Sequence, residues 1–583
     1  MPWTQVTDPL NNLSLSALVA IIPVIFIFWA LIIKKMKGYQ ASLSACAIAM
    51  IIAVLVYDMP LKLATLSAIH GLLYGLFPIC WLVICAVFLF NITVKSGQFE
   101  VIKHFMASIT ADRRLQALLI AFSFGAFLEG TAGFGTPVAI TAAMLVGLGF
   151  NPLYASGLCL IANTAPVAFG SVGIPIVVAS QVTGIPEMAI SQMVGRTLPL
   201  LSAILPFYLI ALMSGFKKTK EVLPAVLVSG ISFAFFQWLA ANYLGPMLPD
   251  IIAGLASIIC LMVLLRFWKP KTIWRFREEP APTFISIGAY TNGQVLKAWS
   301  PFIILTVMIL CWGVQPIKSA LDAIGTSAWE IPGLHHAILY GKHNQELSQI
   351  LKLNILSSSG TAIFISAIVA LPLIGISFRE GAAIFLDTIR QLRFPMITIA
   401  TIMAFAYIVN NSGIAITMAE ALAATGVLFP FFSPLLGWLG VFITGSDTSS
   451  NALFGKLQTV TATSIGVDPV VAIGANTSGG VVGKMISPQS IAVAAAAGNL
   501  IGKESQLFRF TVKHSFIMLA LVCFITIAQA YLFKGIIPEY QLITANLYAA
   551  AHHGSATYYY LALPAGIVAV VVAVVLVMNR KKE

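Results

Sequence analysis

An all-α polytopic membrane protein is the fold class this sequence predicts, and three observations carry it. Hydrophobic residues fill 59% of the 583 positions and charged residues only 9%, against about 25% charged in an ordinary soluble chain. Apolar runs of about 20 residues, the length that crosses a bilayer, recur along the chain. Lys and Arg gather in short clusters between those runs, the arrangement that sets orientation in membranes. Mean hydropathy is +0.94, and a soluble globule of this size could not cover its surface with so few charges. The net charge of +12 is therefore read as membrane orientation and not as a nucleic-acid footprint. Cys46, Cys80, Cys85, Cys159, Cys260, Cys311 and Cys523 all lie in apolar segments without metal-site spacing, so neither disulfides nor zinc are expected. Residues 1–12 carry no basic n-region, and no removable signal peptide is expected.

Full-length spans are expected at 13–33, 41–57, 71–94, 153–180, 196–214, 222–243, 249–268, 298–316, 358–377, 394–410, 469–498, 516–535 and 558–578. Two other apolar stretches, 116–149 and 428–466, are broken midway by Gly and polar residues. Such backbone is tolerated at membrane depth only where protein buries it or it lines a cavity. Both are read as re-entrant helical hairpins with tips near the midplane. With the N-terminus outside, 25 of the 33 Lys and Arg fall on cytoplasmic segments. Counting either hairpin as one crossing inverts every later loop and spoils that bias. The reading is 13 spans, N-terminus outside and C-terminus cytoplasmic. The segment Arg379–Arg393 alternates apolar and charged residues and is expected to lie on the cytoplasmic surface.

An internal repeat accompanies this layout. Ala162-Asn163-Thr164, Gly170 and Pro175 match Ala475-Asn476-Thr477, Gly483 and Pro488 at equal spacing. Asn151-Pro152 matches Asp468-Pro469, Gly125–Gly130 matches Gly440–Gly445, and the offset stays between 313 and 317. The division is a first repeat at 1–245, a linker helix and cytoplasmic loop at 246–297, and a second repeat at 298–583. Each copy holds six crossings and a returning hairpin, so the single linker span inverts the second copy. Inverted repeats with broken helices meeting at the midplane mark secondary transporters.

Few residues are placed to carry chemistry. Glu129 and Asp447 each sit at a hairpin tip, and an ionisable group at membrane depth is a functional hypothesis by default. Both are candidate proton carriers; capping or pairing with a nearby cation is the plainer alternative. Lys484 follows Asn476 by eight residues and would either bind a carboxylate or neutralise Asp447. Asn163, Thr164, Asn476, Thr477, Ser446, Thr448, Ser449 and Ser450 offer amides and hydroxyls near helix ends that suit a small anion. Thr131, Gly133 and Ser487 complete the candidate substrate set. The Asn and Thr oxygens equally suit Na⁺, or merely satisfy backbone freed by the breaks. The tip glycines Gly130, Gly133, Gly135 and Gly445 also read as close packing. Lys456 is expected to reach toward the outer surface, and His70 and Tyr74 to anchor at an interface. His335-His336 is too close for two ligands from one helix face, and His343 lies in the same outer loop. No Walker A, Gly-x-Ser-x-Gly or His-Glu-x-x-His motif occurs, so an ATP-driven pump or a common membrane hydrolase lacks its machinery. An enzyme acting on a lipid-linked substrate lacks a nucleophile–base pair, and the repeat disfavours a passive channel.

The stretches Phe124–Pro137, Gly437–Phe454, Gly483–Ile491 and Gly502–His514 resemble the bacterial L-lactate permease family. The resemblance covers nearly the whole chain and is weakest at 317–357 and after 535. It implies proton-coupled uptake of L-lactate, D-lactate and glycolate across the bacterial inner membrane. No cofactor beyond the coupling proton and no partner beyond the bilayer and these substrates is implied. It also implies a relation to ion transporters with paired hairpins, in which a transport domain moves against a scaffold in an elevator arrangement. Sodium-coupled carboxylate uptake is the alternative.

Overall fold

The structure, a computed structural model, describes residues 2–34, 36–133, 135–276, 290–340, 345–500 and 503–542. Among them, ten helices are long and apolar enough to cross a membrane, or eleven if one bent pair is a single span. The expected span 558–578 lies outside the described residues.

The helices begin and end where local chemistry directs. Asn151 and Asp468 each cap a helix that starts with Pro: the side-chain oxygens accept from the Leu153 and Val470 amides. The first of these helices, Pro152–Ala162, stops at Asn163, and the chain resumes at Val167–Thr183 with a bend of 63°. Its counterpart Pro469–Lys484 runs straight through Asn476-Thr477 and breaks later, at Met485–Ser487. Pro488 and the Ser487 cap start the helix that follows, which explains why the second break is displaced.

Each of the two glycine-broken stretches folds as helical segments joined by a turn. The first arm runs from Arg113 through Thr131, turns at Ala132–Gly135, and returns as Thr136–Gly147. The second is Phe429–Thr444, a turn at Gly445-Ser446, and Asp447–Ser464. Gly135 and Gly445 have φ of 81° and 70°, a left-handed conformation that glycine adopts without strain. The stretch Gly426–Thr444 is by itself long and apolar enough to cross.

One expectation is corrected and two segments gain detail. Arg379–Arg393 is helical and mostly exposed, and it forms the first part of one 35-residue helix, Phe378–Ser412, that continues through Pro395. Its Ser377–Glu380 capping box starts it firmly. His70 and Tyr74 are not interfacial anchors. Their helix starts at Leu61, so both are buried; His70 hydrogen-bonds Gln349 Oε1 at 2.9 Å, and both rings pack on Tyr407. The outer loop carries short strands: Thr326–Glu330 pairs antiparallel with Ile350–Asn354, and Trp3–Thr4 pairs parallel with Ile338–Leu339. Lys456 is half-buried along its arm.

One loop arginine is locked inside. Arg114 is 0% exposed, pairs with Asp112 at 2.7 Å and Glu221 at 2.9 Å, and donates to the Lys218 and Thr272 carbonyls. It ties the first hairpin to the segment that precedes helix Leu223–Tyr243 and to the segment that follows the linker helix Pro249–Phe267. Removing one partner of a buried pair costs about 3–5 kcal/mol, so Arg114→Met should lower the thermal midpoint in detergent markedly; an unchanged midpoint would refute the lock. Lys218 and then Arg114 pull the Glu221 carboxyl down to about 2. The contribution of Glu221 should therefore hold above its ordinary carboxylate value and fade only as pH falls toward about 2. A Glu221→Gln variant should lose that acid dependence in a pH-resolved denaturation series.

Candidate functional site

A cavity of about 600 Å³ opens between the two hairpins, the first broken helix and the long helix Phe378–Ser412. Exposed Lys37, Phe394 and Gln489 stand at its mouth. Its floor holds Glu129, Asp447 and Lys484, which are 2%, 3% and 8% exposed. The sequence scatters these three charges over more than 350 positions, and folding brings them together.

Lys484 Nζ lies 2.6 Å from Glu129 Oε1, a charge-assisted hydrogen bond between residues 355 apart. The sequence reading offered Lys484 a choice between a substrate carboxylate and Asp447; its direct partner here is Glu129. Asp447 remains within reach of the Lys484 charge, but neither of its oxygens has a hydrogen-bond partner among the described residues, and neither has Glu129 Oε2. Helix ends favour this arrangement. Lys484 closes the helix Pro469–Lys484, where a cation suits the carbonyl end, and Asp447 opens Asp447–Ser464, where an anion suits the amide end. Two glycines make room. A Cβ at Gly170 would stand 2.7 Å from Glu129 Oε1, and one at Gly480 would collide with Asp447 Oδ1.

The second hairpin tip points its amide end into the cavity. Ser446, Thr448 and Ser449 line it with Asp447. The Ser446 hydroxyl caps the helix by accepting from the Ser449 amide at 3.2 Å, while the first amides of a helix have no intrahelical acceptor. Thr444, Ser171 and Gln489 also line the cavity. Their signals in sequence are slight: one Thr before a tip Gly, a Ser beyond a helix break, and a Gln after Pro488.

The other expected substrate residues lie outside the cavity lining. Thr131 turns its hydroxyl to the Phe127 and Leu128 carbonyls. Gly133 packs on Ser171, whose hydroxyl donates to the Ala132 carbonyl at 3.1 Å. Ser450 donates to the Gly437 carbonyl, and Ser487 caps the helix after it. Asn476 Nδ2 and Thr477 Oγ1 both donate to Asn451 Oδ1, at 2.8 and 3.0 Å, and Gln458 donates to Asn476 Oδ1. Asn451 Nδ2 donates to the Pro175 carbonyl at 3.0 Å. Asn476-Thr477 thus belong to a closed network that pins the second hairpin to the first broken helix. Asn163 Nδ2 and Thr164 Oγ1, at the break itself, are buried without partners among the described residues.

Breaking the buried pair from one side should cost about 3–5 kcal/mol. Lys484→Met is expected to destabilise the detergent-solubilised protein by that order, and Glu129→Gln/Lys484→Met to recover at least half of the loss. Equal stability of the single and double variants would mean the two groups are not coupled.

The model of the L-lactate permease family matches residues 16–533. The chain is 55% identical to the L-lactate permease of Bacillus subtilis over 564 residues, covering 92% of this chain and 100% of that one. It is 50% identical to the glycolate permease GlcA of Escherichia coli over 560 residues, covering 92% and 99%. The L-lactate permease of Escherichia coli K12 is likewise 50% identical over 549 residues, covering 92% and 100%. Among solved structures, MtrF of Neisseria gonorrhoeae aligns with TM-score 0.43 at 13% identity, over 82% of this chain and 86% of that one. The YdaH transporter of Alcanivorax borkumensis aligns with TM-score 0.46 at 11% identity, over 88% and 100%.

Proposed function

The chain belongs to the L-lactate permease family, whose members are transporters and not enzymes, and we propose that it carries L-lactate, D-lactate and glycolate across the bacterial inner membrane with a coupling proton. The relatives named for L-lactate and glycolate support the substrate class. The observation that carries the mechanism is the Glu129–Lys484 pair on the floor of an open cavity. A lactate carboxylate competes with Glu129 for Lys484 Nζ. Glu129, displaced into a dry site with Oε2 already unpartnered, takes a proton. Binding one anion thereby binds one proton, and the loaded site gains no charge. Asp447 is the second carboxylate available to hold a proton. The amide end at Asp447–Ser449, with the Thr448 and Ser449 hydroxyls, receives the rest of the carboxylate and the 2-hydroxyl.

Neutral loading matters because a negative interior opposes an anion by about 2.3 kcal/mol per 100 mV, or roughly fifty-fold in accumulation. Lys37 lines the cavity mouth and Arg393 lies over the Phe394 ring there, and positive clusters lie inside, so the cavity faces the cytoplasm in this conformation. The two hairpins and broken helices form the moving core. Phe394–Ile399 of the long helix together with Leu31, Met36, Lys37, Gly38 and Tyr39 form the wall against which it slides, in keeping with inverted repeats and an elevator movement.

The test is uptake of labelled L-lactate into proteoliposomes under an imposed inward proton or Na⁺ gradient. Accumulation should follow the proton gradient alone. Asp447→Asn and Glu129→Gln should each lower it at least tenfold while the protein stays folded in the membrane. Dependence on Na⁺ at fixed pH would instead assign the unpartnered Asn163 and Thr164 to a cation and overturn proton coupling.

A further inference from the structure

Beside Asp447, the Glu129–Lys484 pair has a second ionisable neighbour that no motif announces. Asp250 stands in the first turn of the linker helix Pro249–Phe267 and is 1% exposed. Neither of its carboxylate oxygens has a hydrogen-bond partner among the described residues. Gly130, next to Glu129, packs directly on it: a Cβ at Gly130 would stand 2.8 Å from the Asp250 Cβ. Two charges act on Asp250, the Glu129 carboxylate and the Lys484 ammonium. Of the other elements packed on the linker helix, segment Ala117–Phe124 has no ionisable residue. Helix Leu223–Tyr243 brings Gln237, whose amide donates to the Ala165 carbonyl, accepts from Ser202 and also faces Asp250, although no hydrogen bond of good geometry joins the two; that helix ends in the exposed Tyr243.

Position gives this carboxyl its meaning. Asp250 does not line the cavity, whereas Glu129 does. The linker helix runs from Asp250 to Arg266 and is followed by Lys269 and Lys271. Asp250 is therefore at the end away from that basic cluster, while the cavity mouth is flanked by Lys37 and Arg393. Basic clusters share one side of the membrane, so Asp250 lies beyond the ion pair as seen from the mouth. Glu129 stands between a carboxyl on one side and open cavity on the other. A buried carboxyl without hydrogen bonds is accommodated as the neutral acid.

We propose that Asp250 is a proton-binding site of this transporter, loading Glu129 from the side opposite the cavity mouth. Asp250 holds a proton while Glu129 is paired with Lys484. When a substrate carboxylate takes Lys484, the O–H bond at Asp250 breaks and one forms at Glu129 Oε2. Asp250 then recovers a proton from its own side. When the substrate leaves through the cavity, Glu129 yields its proton there and re-forms the pair with Lys484. One proton crosses with each carboxylate. The inference rests on the proton-coupled reading above and adds the residue and the side by which the proton arrives.

The experiment uses the full chain in proteoliposomes containing a pH-sensitive dye, with L-lactate added outside. In Asp250→Asn, which keeps the shape and removes the transferable proton, pH-gradient-driven accumulation and lactate-coupled acidification should fall at least tenfold. Counterflow, which needs no net proton movement, should fall far less, and Asp250→Glu should restore part of the accumulation. Accumulation at the wild-type level, or equal loss of accumulation and counterflow, overturns the assignment. Absence of lactate-coupled acidification in the wild-type protein overturns the proton-coupled reading itself. Should Asp250→Asn fail to fold, dicyclohexylcarbodiimide labelling of the wild-type protein, mapped by mass spectrometry, decides. Labelling of Asp250 that L-lactate suppresses supports the proposal; no labelling, or labelling that L-lactate leaves unchanged, overturns it.

Discussion

The contact on which the rest of this architecture depends is the hydrogen-bonded ion pair between Lys484 and Glu129. Neither charge is tolerable alone at this depth, because desolvation costs several kcal/mol per ion. The pair obliges the first hairpin tip to meet the end of the helix Pro469–Lys484, and it therefore fixes how the two halves of the chain face each other. Gly170 must carry no Cβ beside Glu129, and Gly480 none beside Asp447. The helix ends add their own partial charges in the favourable sense. The pair is a folding constraint and the floor of the cavity at once.

Around that floor the polar groups divide into two kinds. Behind it, Asn451, Gln458, Asn476 and Thr477 close their hydrogen bonds on one another and on the Pro175 carbonyl. A fully satisfied buried network is rigid and specifies one arrangement. On the floor and next to it, Glu129 Oε2, both oxygens of Asp447 and both of Asp250 have no partner among the described residues. Buried polar atoms without partners are rare in a settled protein interior and call for a reason. Here the reason is positional: these five atoms are carboxylate oxygens of three residues within reach of one ammonium, backed by a rigid frame.

Much of this was legible in the sequence, and what was not has physical causes. Hydropathy locates most crossings because the bilayer requires about 20 apolar residues in a row, and the glycine-broken tips show in sequence because irregular backbone there needs glycine. Glu129, Asp447 and Lys484 stand out because charge is rare in apolar runs. The partner of Lys484 could not be read, since pairing across 355 residues is set by tertiary packing. Asn476 looked like a ligand residue because its motif repeats that of Asn163, yet Asn451 and Gln458 on the second hairpin arm engage it. Asp250 was invisible for the opposite reason: it follows Pro249 at the start of an ordinary apolar helix, where an acidic residue normally just meets the helix dipole. Arg114 gave the orientation signal of a loop arginine while buried in a lock. The long helix escaped detection because a proline reads as a stop, although tertiary packing carries Phe378–Ser412 past Pro395.

The same pair explains why a cavity so sparsely charged suits a small carboxylate. An anion entering an apolar cleft usually surrenders hydration for little return. On the proposed reading the exchange at Lys484 is like for like: one carboxylate leaves the ammonium as another arrives, so a charge-assisted hydrogen bond persists in kind. What changes in that cycle is the surroundings of Glu129, which loses its cation while no donor stands at Oε2. In the proposed cycle the coupling of substrate to proton is thus a consequence of burial: a single cation serves two anions in turn, and the one displaced has no refuge except protonation. A bare tunnel of hydroxyls would bind the same anion without that obligation, and the membrane potential would then work against accumulation.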